Sequence, residues 1–219
     1  SCAPRPASEF GPVQPSTTYV GSYQPGYYLL TGLPTRWLPP ATGVYAMRFA
    51  SVLLVAALLA SAAVSLAEMS RTPWAVVGFA AAMTPTVLIL GGSINPNGVE
   101  IAASMAVWTS VLALLAGSGP PPPRLLARVG LAAVVLTGTR PTSPILIVVI
   151  LAAALAFGAG RPRLRELWSS RRVRALVGVA GVALVANVGF VVANRSLSHV
   201  ILTPAAPASS AERAGQALG

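Results

Sequence analysis

Long runs of apolar residues constrain this chain more than any other feature of its sequence. After Pro40 come blocks of roughly 15 to 20 mainly apolar residues, and about 20 such residues are needed to cross a hydrocarbon core. Of the 219 residues, 54% are hydrophobic and only 9% are charged, against roughly 25% charged in an ordinary soluble domain. The chain is therefore predicted to be an all-α, polytopic integral membrane protein.

Polar, proline-rich or arginine-rich links separate six apolar blocks. The blocks cover residues 49–67, 74–91, 99–116, 125–139, 143–158 and 175–193. Thr72 and Ser143 are predicted N-caps, because each is followed by a proline at the first helical position. The fourth block is short, since Arg128 and Arg140 leave about 16 Å of uncharged helix for a core of about 30 Å. Two topologies stay open: about six transmembrane helices, or four plus a re-entrant hairpin.

The distribution of arginine predicts the orientation. All fifteen basic residues are Arg, and six of them lie in the link 161–174, whereas the link 92–98 has none. The positive-inside rule places the first link in the cytoplasm and the second outside. We therefore expect a protein integral to the cytoplasmic membrane, with both ends of this chain on the outer face. Three regions follow: a Pro/Tyr-rich outer-face segment (1–43), a transmembrane helical domain (44–194) and a flexible outer-face tail (195–219).

The composition excludes several kinds of site. Asp and Lys are absent, the acids are five Glu, and there is one Cys and one His. No metal-ligating cluster and no catalytic residue is predicted from this chain, and no cofactor follows from it. The charge of the link 161–174 alone would permit nucleic-acid binding, but a place beside a membrane favours topology and anionic headgroups. Membrane lipid, and not nucleic acid, is the expected partner.

The link between the second and third blocks contains the most distinctive outer motif. Residues 91–100 read Gly-Gly-Ser-Ile-Asn-Pro-Asn-Gly-Val-Glu. In one interpretation Asn97 caps the third helix and Glu100, three residues later, completes a capping box. In the other, Asn95, Asn97 and Glu100 bind a cation or a sugar hydroxyl at the outer face. The two interpretations are compatible, and both stay open.

Aromatic residues and one arginine complete the candidate site. Five aromatic residues cluster within residues 19–38 of the N-terminal segment: Tyr19, Tyr23, Tyr27, Tyr28 and Trp37. They indicate either an interfacial belt, with a short amphipathic helix over 27–33, or a platform whose rings stack on a sugar. Arg140 is the single base in its outer link. Its guanidinium either binds a phosphate or snorkels to the interface.

Three stretches resemble the prokaryotic membrane family called domain of unknown function 2142. They are Gly-Ser-Tyr-Gln-Pro-Gly-Tyr-Tyr-Leu-Leu at 21–30, Tyr-Ala-Met-Arg at 45–48 and Ser-Ile-Asn-Pro-Asn-Gly at 93–98. Residues 24–28 are similar to the family's Pro-Pro-Leu-Tyr-Tyr element, and residues 95–97 to its Asn-Pro-Asp turn. Asn97 stands where the family often has an acid. The resemblance extends over about residues 19–193.

This family is grouped with the GT-C superfamily of glycosyltransferases, which use polyprenyl-phosphate sugar donors at the outer face. The resemblance therefore implies a GT-C-like fold, a polyprenyl-phosphate-linked sugar as partner and transfer of that sugar to an envelope acceptor. It also implies a catalytic Asp in the first outer loop. Because the chain has no Asp, that base would lie upstream of Ser1, and the chain would be a fragment of the enzyme. For this function the predicted substrate-binding residues are Tyr27, Tyr28, Asn95, Asn97, Glu100 and Arg140, of which the resemblance covers Tyr27, Tyr28, Asn95 and Asn97.

Two other classes of function stay open. Pro85 inside the second block and the proline-flanked fourth block are typical of broken helices that line transport sites. A transporter or flippase for a lipid-linked substrate is therefore the alternative, although no Glu or His lies in the middle of a block to couple it to ions. A non-catalytic membrane scaffold is the third.

Overall fold

The structure, a computed structural model, describes residues 24–69, 72–158 and 160–194. These residues form helices and no strand, which confirms the all-α prediction. Tyr19, Tyr23 and the segment 195–219 lie outside the described residues. The α-helices are α1 (Pro25–Gly32), α2 (Pro40–Met69), α3 (Pro73–Ala82), α4 (Pro85–Gly91), α5 (Pro96–Ala116), α6 (Pro123–Thr137), α7 (Ser143–Gly158), α8 (Arg161–Ser169) and α9 (Arg171–Ala193). A 3₁₀ helix, Leu33–Trp37, joins α1 to α2.

Proline starts most of these helices. It is the first residue of α1 to α6, where its fixed φ suits a helix and its missing N–H has no intrahelical partner to lose. Thr72 is the N-cap residue of α3, as predicted. Pro85, by contrast, divides the second apolar block: Thr84 caps a separate helix, α4, by accepting a hydrogen bond from the N–H of Val87 at 3.3 Å.

Helix lengths define three or four candidate spans. α2, α5 and α9 are each long and apolar enough to cross a membrane. α3 and α4 make a fourth candidate if they are taken together, with a bend of 64° between them. α6 has 15 residues and α7 has 16, so their lengths of about 22 to 24 Å fall short of a core of about 30 Å. The count of six spans stays a prediction.

α5 is the central helix of the bundle. Val99, Ala102, Ala103 and Ala106 on α5 have no exposed surface, and α5 packs against α2, α4, α6 and α7. Protein buries 67% of the apolar window of α5 but only 6% of that of α9. α9 therefore presents most of its surface outwards, as a lipid-facing helix does, and α5 presents very little.

An ion pair joins α2 to α6. Nη1 and Nη2 of Arg128 lie 2.6 and 3.0 Å from the two carboxylate oxygens of Glu68, which is bidentate geometry. The Ser65 hydroxyl on α2 lies 3.0 Å from that of Ser110 on α5, one turn from the ion pair. The short fourth block thus accommodates Arg128 by pairing it with a carboxylate of the protein.

Gly98 allows the start of α5 to pack against the end of α4. A Cβ at this position would lie 2.6 Å from the carbonyl oxygen of Leu90 and 2.9 Å from Cα of Gly91, both backbone atoms that side-chain motion cannot displace. We predict that Gly98→Ala lowers the free energy of unfolding by about 1–3 kcal/mol, the usual range for overpacking. Thermal unfolding of the detergent-solubilised protein measures this. Gly178→Ala on α9 is the control, because nothing lies within 4 Å of its Cβ; equal midpoints for the two variants would contradict the prediction.

Candidate functional site

A polar cluster lies at the start of α5. Asn97 and Glu100 are three residues apart near the N-terminus of α5 and therefore share a face, while Arg140 lies between α6 and α7. Nη1 of Arg140 is 2.5 Å from Oδ1 of Asn97 and 3.2 Å from Oε2 of Glu100. The structure thus brings together three of the six predicted substrate-binding residues, although Arg140 is separated from the other two by 40 residues or more.

Glu100 is the buried member of this cluster. Its side chain is 10% exposed, against 32% for that of Arg140. Its second oxygen, Oε1, accepts a hydrogen bond of 2.8 Å from the hydroxyl of Ser143, the first residue of α7. A carboxylate with so little water needs a cation and hydrogen bonds, and Arg140 and Ser143 supply both. Within the described part of the chain, no three His, Cys, Asp or Glu residues are placed to hold a metal ion.

The cap of α5 differs from the predicted one. The helix begins at Pro96, and Asn95 is its N-cap residue: Oδ1 of Asn95 accepts a hydrogen bond of 2.9 Å from the N–H of Asn97. The prediction of Asn97 as the cap, with Glu100 reaching back to it, is therefore wrong. Pro96 suits the first helical position, so the cap lies two residues earlier in the chain than predicted. This frees the side chains of Asn97 and Glu100 to meet Arg140.

One edge of the Arg140 guanidinium is not engaged by the cluster. Nη1 makes both contacts, whereas Nε is buried and has no acceptor among the described residues. Nε and Nη2 form the edge with which a guanidinium binds a carboxylate or phosphate through two parallel hydrogen bonds. A buried N–H without an acceptor destabilises the folded protein by about 1–3 kcal/mol. An anion at this edge would accept a hydrogen bond from Nε and so remove that destabilisation.

Tyr27 connects α1 to the turn before α5. It is 2% exposed, and its hydroxyl lies 3.1 Å from that of Ser51, which in turn donates to the carbonyl of Ser93 at 3.1 Å. Burial raises the pKa of the Tyr27 hydroxyl, and the hydrogen bond with Ser51 opposes that shift. The residue is therefore a neutral phenol that packs inside the protein and belongs to no interfacial belt. Tyr28 is half-buried, with its ring edge-on to that of Tyr27 at a centroid distance of 5.0 Å.

An apolar groove of about 340 Å³ lies beside the polar cluster. Residues of α1, α2, α5 and the end of α6 line it, among them Gly26, Tyr27, Leu30, Val99 and Thr139. Val99 directly precedes Glu100 and Thr139 directly precedes Arg140, so the groove adjoins the cluster along the chain at two points. Gly26 permits the close approach that forms it, because a Cβ there would lie 2.6 Å from the carbonyl oxygen of Gly138.

Sequence reasoning missed Arg48 and Gln24, two residues that hold this end of the protein together. Arg48 Nε donates to the carbonyl of Gly92 at 2.7 Å and so caps the end of α4. The amide of Gln24 donates to Oδ1 of Asn187 at 2.8 Å, and the amide of Asn187 donates to the carbonyl of Thr137. This chain of amides joins α1, α9 and α6. For Asn187 the sequence does give a signal, because an Asn in an otherwise apolar span favours an interhelical hydrogen bond, and the structure confirms that bond and supplies its partners.

Comparison with known protein families gives a match. Residues 1–214 match the family described as "predicted membrane protein", domain of unknown function 2142. The chain belongs to this family. It matches no curated protein and no solved structure. This agrees with the resemblance of residues 21–30, 45–48 and 93–98 to the family. The family's description identifies a membrane protein and states no activity.

The Glu100 contacts lead to a prediction about stability. Glu100→Gln removes the charge that balances Arg140 in a site with little water, so we expect the free energy of unfolding to fall by about 1–3 kcal/mol. The matched control is Glu166→Gln: that carboxylate pairs with Arg163 at 2.6 Å, but it is 43% exposed, and an exposed pair contributes about 0–1 kcal/mol. Denaturation of both variants in the same detergent compares them, and a loss at Glu166 equal to that at Glu100 would count against the charge-balance argument.

Proposed function

We propose that this chain is part of a GT-C-like membrane glycosyltransferase that takes a sugar from a polyprenyl-phosphate-linked donor and transfers it to an envelope acceptor. The observation that carries the proposal is the unengaged, buried Nε of Arg140 beside an apolar groove. A prenyl phosphate fits both the guanidinium and the groove. Its phosphate is an acceptor for the guanidinium, and its hydrocarbon chain fills an apolar groove.

In this proposal the polar cluster binds the head of the donor. Arg140 takes the phosphate on its Nε and Nη2 edge, while Asn97 and Glu100 hold the guanidinium from the Nη1 side. Asn95 fixes the turn, and Tyr28, which is half-buried, contacts the sugar. No residue of this chain is assigned as the general base, which the resemblance attributes to an Asp.

The tail of the donor and the topology complete the proposal. The prenyl chain lies in the groove beside Tyr27, between α1 and α6. The chain crosses the cytoplasmic membrane six times, with α3 and α4 as one bent span and with α6 and α7 as two short ones. The arginine-free turn before α5 then lies outside, and so does the polar cluster, since the positive-inside rule puts arginine-rich α8 in the cytoplasm. Both ends of the chain are outside.

The test measures stabilisation of the intact, detergent-solubilised protein by a long-chain polyprenyl monophosphate. A ligand at 100 times its Kd stabilises the folded state by about 2.7 kcal/mol, which appears as a rise in Tm. Arg140→Lys keeps the charge opposite Glu100 but lacks the flat two-donor edge, so we expect its affinity to fall at least tenfold. The matched control is Arg36→Lys in the 3₁₀ helix, since Arg36 is exposed and has no partner among the described residues.

Unliganded Tm values separate a folding defect from a binding defect. Equal affinity of Arg140→Lys and the unsubstituted protein would overturn the role of Arg140. No stabilisation of the unsubstituted protein by any polyprenyl phosphate would overturn the proposal and favour a scaffold. Transfer is then measured directly, with membranes containing the intact protein and a radiolabelled lipid-linked sugar.

The bend between α3 and α4 favours one second candidate, a transporter or flippase for a lipid-linked substrate. The two helices meet at 64°, and broken helices of this kind line transport sites. Proteoliposomes distinguish the two functions. Counterflow of a labelled lipid-linked sugar without formation of a transfer product would favour transport, and a transfer product would favour the enzyme.

A further inference from the structure

Five of the six arginines in α8 and at the start of α9 fall into two groups, and the first group binds backbone carbonyls of the protein. Residues 161–174 contain six Arg and one Glu. Nε and Nη2 of Arg163 donate to the carbonyl of Leu114 at 3.0 and 2.9 Å, which fixes α8 to the end of α5. Nη1 of Arg174 donates to the carbonyl of Trp168 at 2.8 Å and so caps the end of α8. These two arginines hold α8 in place.

The second group has no partner among the residues that the structure describes. Arg165, Arg171 and Arg172 are exposed, and none of them makes an ion pair or a side-chain hydrogen bond within the described residues. Leu164 and Trp168 are 37% and 59% exposed, and they lie one turn apart on α8. An exposed Trp next to arginines without partners is typical of a protein surface at the membrane–water interface.

We propose that these five residues, Arg165, Arg171, Arg172, Leu164 and Trp168, form a basic platform that binds anionic phospholipid headgroups. The platform lies where α9 begins, and α9 is a candidate span with little protein around its apolar window. The arginines bind headgroup phosphates, and the apolar pair enters the boundary between headgroups and acyl chains. A nucleic acid would satisfy the arginines but would leave Leu164 and Trp168 in water, so the observations favour a bilayer.

The experiment measures binding of phosphatidylglycerol, acyl-labelled with a fluorophore, to the intact protein in a phosphatidylcholine–detergent mixture. Each arginine near an anionic surface contributes a factor of about 5 to binding, so Arg165→Gln, Arg171→Gln and Arg172→Gln combined are expected to weaken it by up to about 100-fold. Replacing the same three residues with Lys keeps the charge and should keep most of the affinity. Arg36→Gln, far along the chain from the platform, is the single-arginine control and should have no effect.

A salt titration of the unsubstituted protein keeps the proposal testable if the Gln variant inserts wrongly. The preference for phosphatidylglycerol over phosphatidylcholine should disappear at about 1 M salt, where the Debye length is about 3 Å. Equal binding of the two lipids at low salt would overturn the proposal, and so would equal affinities of the Gln and Lys variants. Displacement of phosphatidylglycerol by a single-stranded RNA probe that binds more tightly would assign the platform to nucleic acid instead. None of these substitutions touches the Arg140 cluster, so the result is independent of the proposed function.

Discussion

The burial of the first turns of α5 is the constraint on which the rest of the structure depends. Val99 and the alanines that follow it have no exposed surface, so neighbouring helices must enclose this end of α5. Glu100 lies in the same turn and has little access to water. A carboxylate there is tolerated only beside a cation, and the nearest is the guanidinium of Arg140. The position of the turn between α6 and α7 therefore follows from the need to balance one charge.

In the proposed function, the same contacts orient Arg140 for the donor phosphate and limit the affinity that the phosphate can gain from charge. Glu100 and Asn97 fix the guanidinium before anything binds, so little side-chain freedom remains to be lost on binding. However, Glu100 also cancels most of the positive charge that an incoming anion would meet. Orientation and specificity can therefore come from Arg140, while much of the affinity has to come from apolar contacts. The apolar groove beside the cluster can supply these apolar contacts.

The helices could be predicted from local sequence signals. The site could be predicted only in part, because it depends on contacts between residues that are distant in the chain. Proline marks the helix starts so clearly that α3 and α7 began within a residue of their predicted positions. A separate local pattern points to each of Asn97, Glu100 and Arg140, but their contact depends on how α5 packs against the turn after α6, which no local pattern encodes. Tyr27 shows the same limit. A tyrosine in a Pro/Tyr-rich segment is typical of an interface, and only the tertiary position of α1 reveals that it is buried.

Arginine suits the helix ends of this protein for a physical reason. Helix ends leave carbonyl groups without partners, and inside or beside a bilayer there is little water to satisfy them. A guanidinium offers five donors in a fixed plane and can bind such carbonyls while remaining charged, as Arg48 does at Gly92 and Arg163 at Leu114. Arginines used in this way are no longer free to meet headgroups. The number of arginines in a link therefore overstates the charge that it presents to the membrane. In α8 and α9 that charge comes from Arg165, Arg171 and Arg172, which have no partner among the described residues.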